Sequence, residues 1–427
     1  MSGDTKALEA KARAGDAAAQ FELAVTLDRA GQRLVATSWL EAAGTSGHPE
    51  ALALLAIRDL QGLETRPDPA RARERLERAV SLGGNTARRL LATLTANGVF
   101  ADPNWTRALS LTIDAAKAND WQALRHLALL IEMAAPKSAL AEDLLLRAGL
   151  LGDGLSGFAI LRRQALTGRT LAPERAFALW REGMQKIRHP LAERVAGVTA
   201  GAVATKPPEG HPDFDQIGAL LKEPPGLQMP EPSAVCDQPY LRRFDKLLTV
   251  EECDYIIGLS SRLLAPASVI DGAAGKGTQS NLRTNSVAVF WPMHQDIVLH
   301  AIDLRLSKVA GLSIANGEMM NILMYQPGEE YGAHFDFFAP EIAAADRSGQ
   351  RIRTLLVTLN DDYGGGETQF VNANMKLKGE TGDAVLFHNC DASTGAPDRA
   401  TLHAGLPVTS GQKWLLSKWF RAKPFLL

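Results

Sequence analysis

Toward the end of the chain, His334-Phe335-Asp336 is followed by His403 and, ten positions later, by Lys413. Two imidazoles and one carboxylate can occupy one face of an octahedral iron(II), which leaves three positions for other ligands. His334 and Asp336 are two apart, a spacing that on a strand sends both side chains to one face. Alone, a His-x-Asp is equally a solvated aspartate beside a hydrogen-bonded histidine. His403 gains weight from Gly411-Gln412-Lys413-Trp414, a turn that leads into an apolar strand. Lys413 is a cation that can pair with the far carboxylate of a dicarboxylic acid chelating the metal, since a buried carboxylate needs such a partner. Tyr325, nine residues before His334, has a phenol that can supply a further hydrogen bond. The rival third ligand is His388 in Leu386-Phe387-His388-Asn389; no residue suited to anchor an anion follows it at comparable spacing.

These side chains need strands to hold them. From Tyr240 onward, β-rich segments separated by turn residues are expected at Met319–Tyr325, Tyr331–Phe338, Thr354–Asn360, Glu367–Val371, Ala384–His388 and Trp414–Phe420. Many short strands with Gly-rich turns imply a sandwich or jelly roll. Thr249 followed by Glu252 marks a helix start, and a second helix is expected over Gln295–Ala310.

The first half, through about residue 195, is rich in Ala, Leu and Arg with apolar residues at helical spacing. It repeats. The frame Gly15–Ala24 returns at Gly47–Ala56, Gly83–Ala92, Asn119–Ala128 and Gly152–Leu161, at offsets of 32, 36, 36 and 33 residues, the period of a helix–turn–helix repeat. In each copy a small residue (Ala19, Ala51, Ala87, Ala123, Ser156) precedes an aliphatic one (Leu23, Leu55, Leu91, Leu127, Ile160) by four. Both then lie on one helical face, where the small side chain lets a neighbouring helix approach closely. The array resembles Sel1-like repeats, relatives of the tetratricopeptide repeat, over about residues 7–190. Such a solenoid can grip a partner or substrate protein on its concave face; it can equally serve only to stabilise the chain or to self-associate.

With 427 residues, 46% hydrophobic and 22% charged, the chain has room for two or more cores. A net charge of −2 gives no reason to expect a nucleic-acid or anionic-membrane partner. The polar start Met1-Ser2-Gly3-Asp4-Thr5-Lys6 lacks the apolar centre of a signal peptide, and no stretch approaches the ~20 apolar residues of a membrane span. Cys236, Cys253 and Cys390 are scattered and without CxxC spacing, so free thiols and a cytoplasmic protein are expected.

Between about residues 205 and 239 fall Pro207, Pro208, Pro212, Pro224, Pro225, Pro230, Pro232 and Pro239, the mark of a connector, interrupted by a short helix around Phe214–Leu221. The expected division is a repeat domain over 1–195, a Pro-rich linker over 196–239 and a β domain over 240–427. Gly364-Gly365-Gly366 and Gly275-Lys276-Gly277-Thr278 lack the spacing of a phosphate loop. Ala265–Ser280, rich in Gly, Ala and Ser, reads as a lid over the site or as a surface loop without function.

As a set, several segments over about residues 240–422 resemble the prolyl 4-hydroxylase family of Fe(II)/2-oxoglutarate dioxygenases. They are Tyr325-Gln326-Pro327-Gly328 with Tyr331 through Asp336, Arg353-Thr354-Leu355-Leu356, Gly364 through Phe370, Gly382 through Phe387, and His403 through Trp419. The resemblance implies a double-stranded β-helix, with iron held by His334, Asp336 and His403 and 2-oxoglutarate held by Lys413 and Tyr325. It matches Tyr331 and Trp419 to positions that shape the substrate pocket, and Arg283, in Leu282-Arg283-Thr284-Asn285-Ser286, to a motif near the substrate entrance. One departure is Thr358 in Val357-Thr358-Leu359-Asn360, where the family often has tyrosine. A threonine hydroxyl can still donate to the cosubstrate, in a roomier pocket.

The implied reaction is hydroxylation of an unactivated C–H bond, most simply that of a prolyl residue in a protein or peptide, with O₂ consumed and succinate and CO₂ released; ascorbate joins the expected ligands. The appended solenoid favours a protein substrate. A rival from another class is a non-catalytic adaptor whose β domain senses iron or 2-oxoglutarate. Oligomeric state is not legible.

Overall fold

The computed structural model describes residues 3–63, 66–167, 174–186, 190–195, 210–267, 269–270, 277–278, 282–391 and 394–425. The helical half holds α1 (Gly3–Arg13), α2 (Ala17–Arg29), α3 (Arg33–Thr45), α4 (Pro49–Gln61), α5 (Pro69–Ser81), α6 (Asn85–Ala96), α7 (Trp105–Lys117), α8 (Trp121–Ala134), α9 (Ala139–Leu150), α10 (Gly154–Thr167), α11 (Glu174–Lys186) and the short α12 (Phe214–Leu220). Then come β1 (Ser233–Cys236), β2 (Leu241–Phe244), α13 (Val250–Ser260), β3 (Ala265–Pro266), β4 (Val269–Ile270), β5 (Gly277–Thr278), β6 (Ser286–Phe290) and α14 (Ile297–Val309). The remainder is β7 (Met320–Tyr325), β8 (Tyr331–His334), α15 (Pro340–Ala345), β9 (Arg351–Thr358), β10 (Gly364–Gly365), β11 (Thr368–Phe370), β12 (Met375–Leu377), β13 (Ala384–His388), β14 (His403–Gly405), β15 (Val408–Ser410) and β16 (Lys413–Arg421).

Contacts divide the chain into two compact units. The first gathers Met1–Asp153, Pro208–Pro225 and Pro292–His300. Its helices pack as sequential pairs, α2 on α3, α4 on α5, α6 on α7 and α8 on α9. The repeat frame has a backbone cause. Its first residue is left-handed in every copy: Gly15, Gly47, Gly83, Asn119 and Gly152 all have positive φ. Glycine adopts that conformation without a Cβ clash and asparagine is the next most tolerant residue, so the frame begins where one helix must stop and turn. The following residue caps the next helix in three copies: the side chains of Asp16, His48 and Asp120 accept from the backbone N–H of Ala19, Ala51 and Ala123. The small and aliphatic positions are buried in all five copies, Ser156 and Ile160 included. Trp105 Nε1 donates to the Leu221 carbonyl at 2.7 Å, which fastens the end of α12 to α7.

The second unit gathers Gly154–Pro207, Gly226–Trp291 and Ala301–Leu427. By contacts, then, α10 and α11 group with the β-rich part and α12 with the repeats. Arg162 of α10 and Arg194 both ion-pair with Asp254 of α13. Burial pushes the Asp254 carboxyl up to about 6 against the pull of both guanidiniums. Thr249 and Glu252 form the expected capping box.

An eight-stranded sheet runs β1-β2-β13-β9-β16-β7-β6-β3 and a four-stranded sheet β12-β11-β14-β8; two further sheets pair β10 with β15 and β4 with β5. Every strand pair is antiparallel. The two larger sheets pack face to face as a jelly roll, with Phe370 of the smaller sheet edge-on to Phe387 of the larger at 5.2 Å between ring centres. In the large sheet, register places Lys413 opposite Tyr325, Leu415 opposite Leu323 and Thr358, and Trp419 opposite Thr354. Since side chains alternate along a strand, these residues share the face turned toward the smaller sheet. The strand expected over Tyr331–Phe338 is shorter: β8 stops at His334, so Asp336 lies in the bend after the strand.

Candidate metal centre and cosubstrate cavity

β8 and β14 are neighbours, and their register sets His334 directly opposite His403. The two rings lie 4.3 Å apart between centres. Asp336 completes the group, its Oδ1 3.6 Å from His334 Nε2 and its Oδ2 3.7 Å from His403 Nε2. All three donor atoms fall within 4.8 Å of one another, a set that could hold a metal ion. Because the chain bends after His334, Asp336 joins by turning in beside β8 rather than by strand alternation. Asp336 thus joins the two histidines by a bend and not by the strand geometry expected from its spacing.

Each imidazole has its tautomer imposed. His334 Nδ1 lies 2.9 Å from the Gly332 carbonyl and His403 Nδ1 2.9 Å from the Thr401 carbonyl. A carbonyl only accepts, so Nδ1 carries the proton and the Nε2 lone pairs face Asp336. Burial lowers His403 to about 4, although Asp336 pulls the other way. Burial pushes the Asp336 carboxyl up, but the two imidazoles outweigh it and hold it well below the usual carboxylate range. At neutral pH the Asp336 carboxylate is therefore ionised and the His403 imidazole neutral, the protonation state metal binding requires of them. Its mixed N/O chemistry suits Fe(II).

A second ring of residues orients these ligands. Thr354 Oγ1 donates to Asp336 Oδ2 at 2.7 Å and accepts from Asn389 Nδ2 at 2.9 Å. Tyr331 stacks on His334 at 3.6 Å between ring centres. Neither Thr354 nor Asn389 was singled out from the sequence, although inward placement of Thr358 implies, by strand parity, that Thr354 faces inward too.

The triad lines a cavity together with Arg283, Tyr325, Tyr331, Lys413 and Trp419. Lys413 is 2% exposed, and its Nζ donates to the Gly366 carbonyl at 2.7 Å and sits 5.1 Å from the centre of the Tyr325 ring. Burial lowers its ammonium to about 8, with Glu367 opposing and Lys378 reinforcing the shift. Among the described residues no carboxylate forms an ion pair with it. A buried cation with only a carbonyl partner fits a site for an incoming carboxylate. Arg283 lies over the Tyr331 ring and reaches Asn285, yet its Nη2 is buried without a hydrogen-bond partner, as is Trp419 Nε1.

Thr358 and the rival ligand His388 lie elsewhere. Thr358 does not line the triad's cavity but an adjoining one, which shares the Lys413 wall. His388 is outside the metal group and stacks on Tyr240 at 4.0 Å. Most of the Ala265–Ser280 segment lies outside the described residues. Cys236, Cys253 and Cys390 are free thiols, and among the described residues no helix is long and apolar enough to cross a membrane.

Jelly roll, triad and buried lysine together define an Fe(II)/2-oxoglutarate oxygenase, and residues 320–421 match the model of the 2OG-Fe(II) oxygenase superfamily. Prolyl 4-hydroxylase 1 of Arabidopsis thaliana is 32% identical over 207 residues, covering 45% of this chain and 72% of that protein. The chain belongs to the prolyl 4-hydroxylase family. Among solved structures, a viral collagen prolyl hydroxylase from Paramecium Bursaria Chlorella virus-1 is 28% identical and covers 44% of this chain and 99% of its own, with a TM-score of 0.33. A Sel1 repeat protein from Oxalobacter formigenes is 26% identical and covers 28% of this chain and 93% of its own, with a TM-score of 0.26. The protein is thus a 2-oxoglutarate-dependent dioxygenase that uses Fe(II), 2-oxoglutarate and O₂, and the rival adaptor reading is set aside.

Proposed function

We propose that the protein hydroxylates a prolyl residue of a protein or peptide, giving 4-hydroxyproline. The observation that carries this reading is that a triad of two imidazoles and a carboxylate and a buried, uncompensated Lys413 share one cavity. The relatives' name, prolyl 4-hydroxylase, supports proline as the residue modified.

His334, Asp336 and His403 would hold Fe(II) through Nε2, a carboxylate oxygen and Nε2. Bound Fe(II) supplies the oxidising chemistry that turns an unactivated C–H into C–OH while 2-oxoglutarate and O₂ yield succinate and CO₂. The chain's own residues do the rest. Thr354 fixes the direction of the Asp336 carboxylate, and the Gly332 and Thr401 carbonyls fix the two imidazoles, so the ligands are aimed before metal arrives. Lys413 pairs with the C5 carboxylate of the cosubstrate, with the Tyr325 phenol beside it. Arg283 and Trp419 offer unpaired N–H groups to acceptors on the substrate, and Tyr331 bounds the pocket between them and the metal ligands. Filling this cavity with cosubstrate and substrate excludes water and protects against wasted turnover. The helical repeats would engage the substrate protein.

The test loads the full chain with Fe(II) and 2-oxoglutarate under nitrogen, then admits O₂ with and without a proline-containing peptide. Succinate release coupled to a 16 Da gain on proline, seen by mass spectrometry, is expected. Succinate formed with oxidation only at other residues would remove the prolyl assignment. Failure to bind either metal or cosubstrate would remove the site itself.

A further inference from the structure

Arg194, outside the jelly roll, holds two carboxylates at once. It lies in a short helical turn, Ala192–Val195, that packs against α10 and α11. Its Nη1 donates to Asp254 Oδ1 of α13, and its Nη2 lies 3.2 Å from Asp362 Oδ1 and 3.4 Å from Asp362 Oδ2. Asp254 is buried and also pairs with Arg162 of α10, so it fastens this helical segment to α13. Asp362 is different. It lies in the loop after β9 with its side chain 59% exposed, so water could solvate its charge without Arg194. What Arg194 does there is hold an acceptor in one direction.

Asp362 Oδ1, which faces Arg194, also accepts from Asn360 Nδ2. That carboxamide is fully used: its Nδ2 also donates to the Gln412 carbonyl, and its Oδ1 accepts from Trp414 N–H. The two ends of a carboxamide have nearly the same shape, so the partners around it decide which end points where. An ionised Asp362 only accepts, and therefore selects the NH₂ end. Partial burial pushes the Asp362 carboxyl up, but Asn360 and Arg194 hold it below its ordinary value, so it is ionised at neutral pH. Gln412 and Trp414 flank the buried Lys413. The route runs from Arg194 through Asp362 and Asn360 to the backbone on both sides of that lysine.

We propose that Arg194 is a positioning residue for the cosubstrate, through which the helical segment that carries it sets how tightly Lys413 holds 2-oxoglutarate. A guanidinium suits this task, because its planar fork presents N–H groups to two carboxylates in fixed directions and an ammonium does not. The Arg194–Asp362 contact is partly solvated, so its effect on affinity is graded. The inference rests on the reading of Lys413 as the carboxylate anchor.

The experiment titrates the full chain, loaded with Mn(II) under nitrogen, with 2-oxoglutarate by calorimetry, so that no turnover is needed. Arg194→Met should raise the dissociation constant about threefold. Asp362→Asn, a change at an exposed side chain that leaves folding intact, should do the same, and the double variant no more than either alone. In an Asn360→Ala chain, Arg194→Met should shift the constant by less than about 1.5-fold, because the step between Asp362 and Lys413 is already missing. Arg162→Met removes a partner of Asp254 but none of Asp362, and should also stay within about 1.5-fold of the parent. Salt screens the exposed pair, so both single shifts should shrink as it is added. Mn(II) affinity without 2-oxoglutarate should be the same in all variants, since the metal ligands lie off the route. An unchanged constant in Arg194→Met overturns the proposal. So do additive effects of Arg194→Met and Asp362→Asn, an Arg162→Met shift as large as that of Arg194→Met, or a matching loss of Mn(II) affinity. A strong Lys413→Met effect beside a silent Arg194→Met removes the positioning role alone. A silent Lys413→Met removes the anchor reading as well.

Discussion

The carboxamide of Asn360 grips the backbone on both sides of Lys413. Its Nδ2 donates to the Gln412 carbonyl at 2.6 Å, and its Oδ1 accepts from Trp414 N–H at 2.7 Å. Asn360 is 2% exposed and also bonds Asp362, which ion-pairs with Arg194 at 3.2 Å. Lys413, a buried cation without a carboxylate partner among the described residues, thus has its flanking backbone held by a side chain 53 positions away in sequence.

Asn360→Ala should therefore act on the cosubstrate before it acts on the substrate. Leaving two buried backbone groups unpaired costs about 1–3 kcal/mol, enough to loosen the Lys413 backbone. The expected outcome is a roughly tenfold rise in the 2-oxoglutarate KM, with the peptide KM within about twofold of the parent's. Equal rises in both would show a general loss of fold instead.

Metal stoichiometry separates the two candidate histidines. Loss of His403 in His403→Ala should abolish tight binding of Mn(II) or Co(II), measured by equilibrium dialysis and by the visible absorption of the cobalt form. His388→Ala, altering a ring stacked on Tyr240, should leave one metal per chain. Thr354→Val keeps the ligands but frees the Asp336 carboxylate, so metal affinity should fall about 10–100-fold.

Cosubstrate affinity should depend on pH through Lys413. Burial lowers its ammonium to about 8, so the empty site is protonated below that pH and loses its charge as pH rises through it. Only the cation pairs with a carboxylate, and binding raises its pKa again. The 2-oxoglutarate dissociation constant should be flat below pH 8 and climb above it, by up to about tenfold per pH unit until the bound form also titrates. Lys413→Met should bind weakly at every pH and show no such bend.

The repeat packing gives a fourth test. Ala87 has no exposed surface, at a position where every copy of the frame holds a small residue. Ala87→Leu should overpack the α6 face and cost about 1–3 kcal/mol, read as a lower unfolding midpoint. Exposed Leu82, 45% accessible, should tolerate Leu82→Ser within about 0.5 kcal/mol. Neither change should alter Mn(II) stoichiometry.

Local features were the legible ones. The capping box at Thr249 and Glu252, the strand Ala384–His388 and the repeat frame all depend on residues within a few positions of one another. The frame was visible as a recurring glycine with one asparagine, and its cause is the left-handed turn each copy must make. Asp336 was identified as a strand neighbour of His334, but the strand ends first and a bend delivers it. Thr354, Asn389 and Asn360 were missed because the contacts that tie them to the site reach 18, 35 and 52 or more positions along the chain, and no periodicity encodes a contact of that range.

The sequence by itself determined the chemistry: the donor types, the lysine ten residues past His403 and the helical repeat all follow from residue identity and short spacing. Only the tertiary structure decided how they act together. Antiparallel register sets His334 against His403 and Lys413 against Tyr325, and strand parity turns Thr354, which bonds Asp336, and Thr358, which lines the adjoining cavity, to one face. Register and parity are properties of paired strands. A one-residue slip would turn every one of these side chains to the opposite face, so no single segment carries that information.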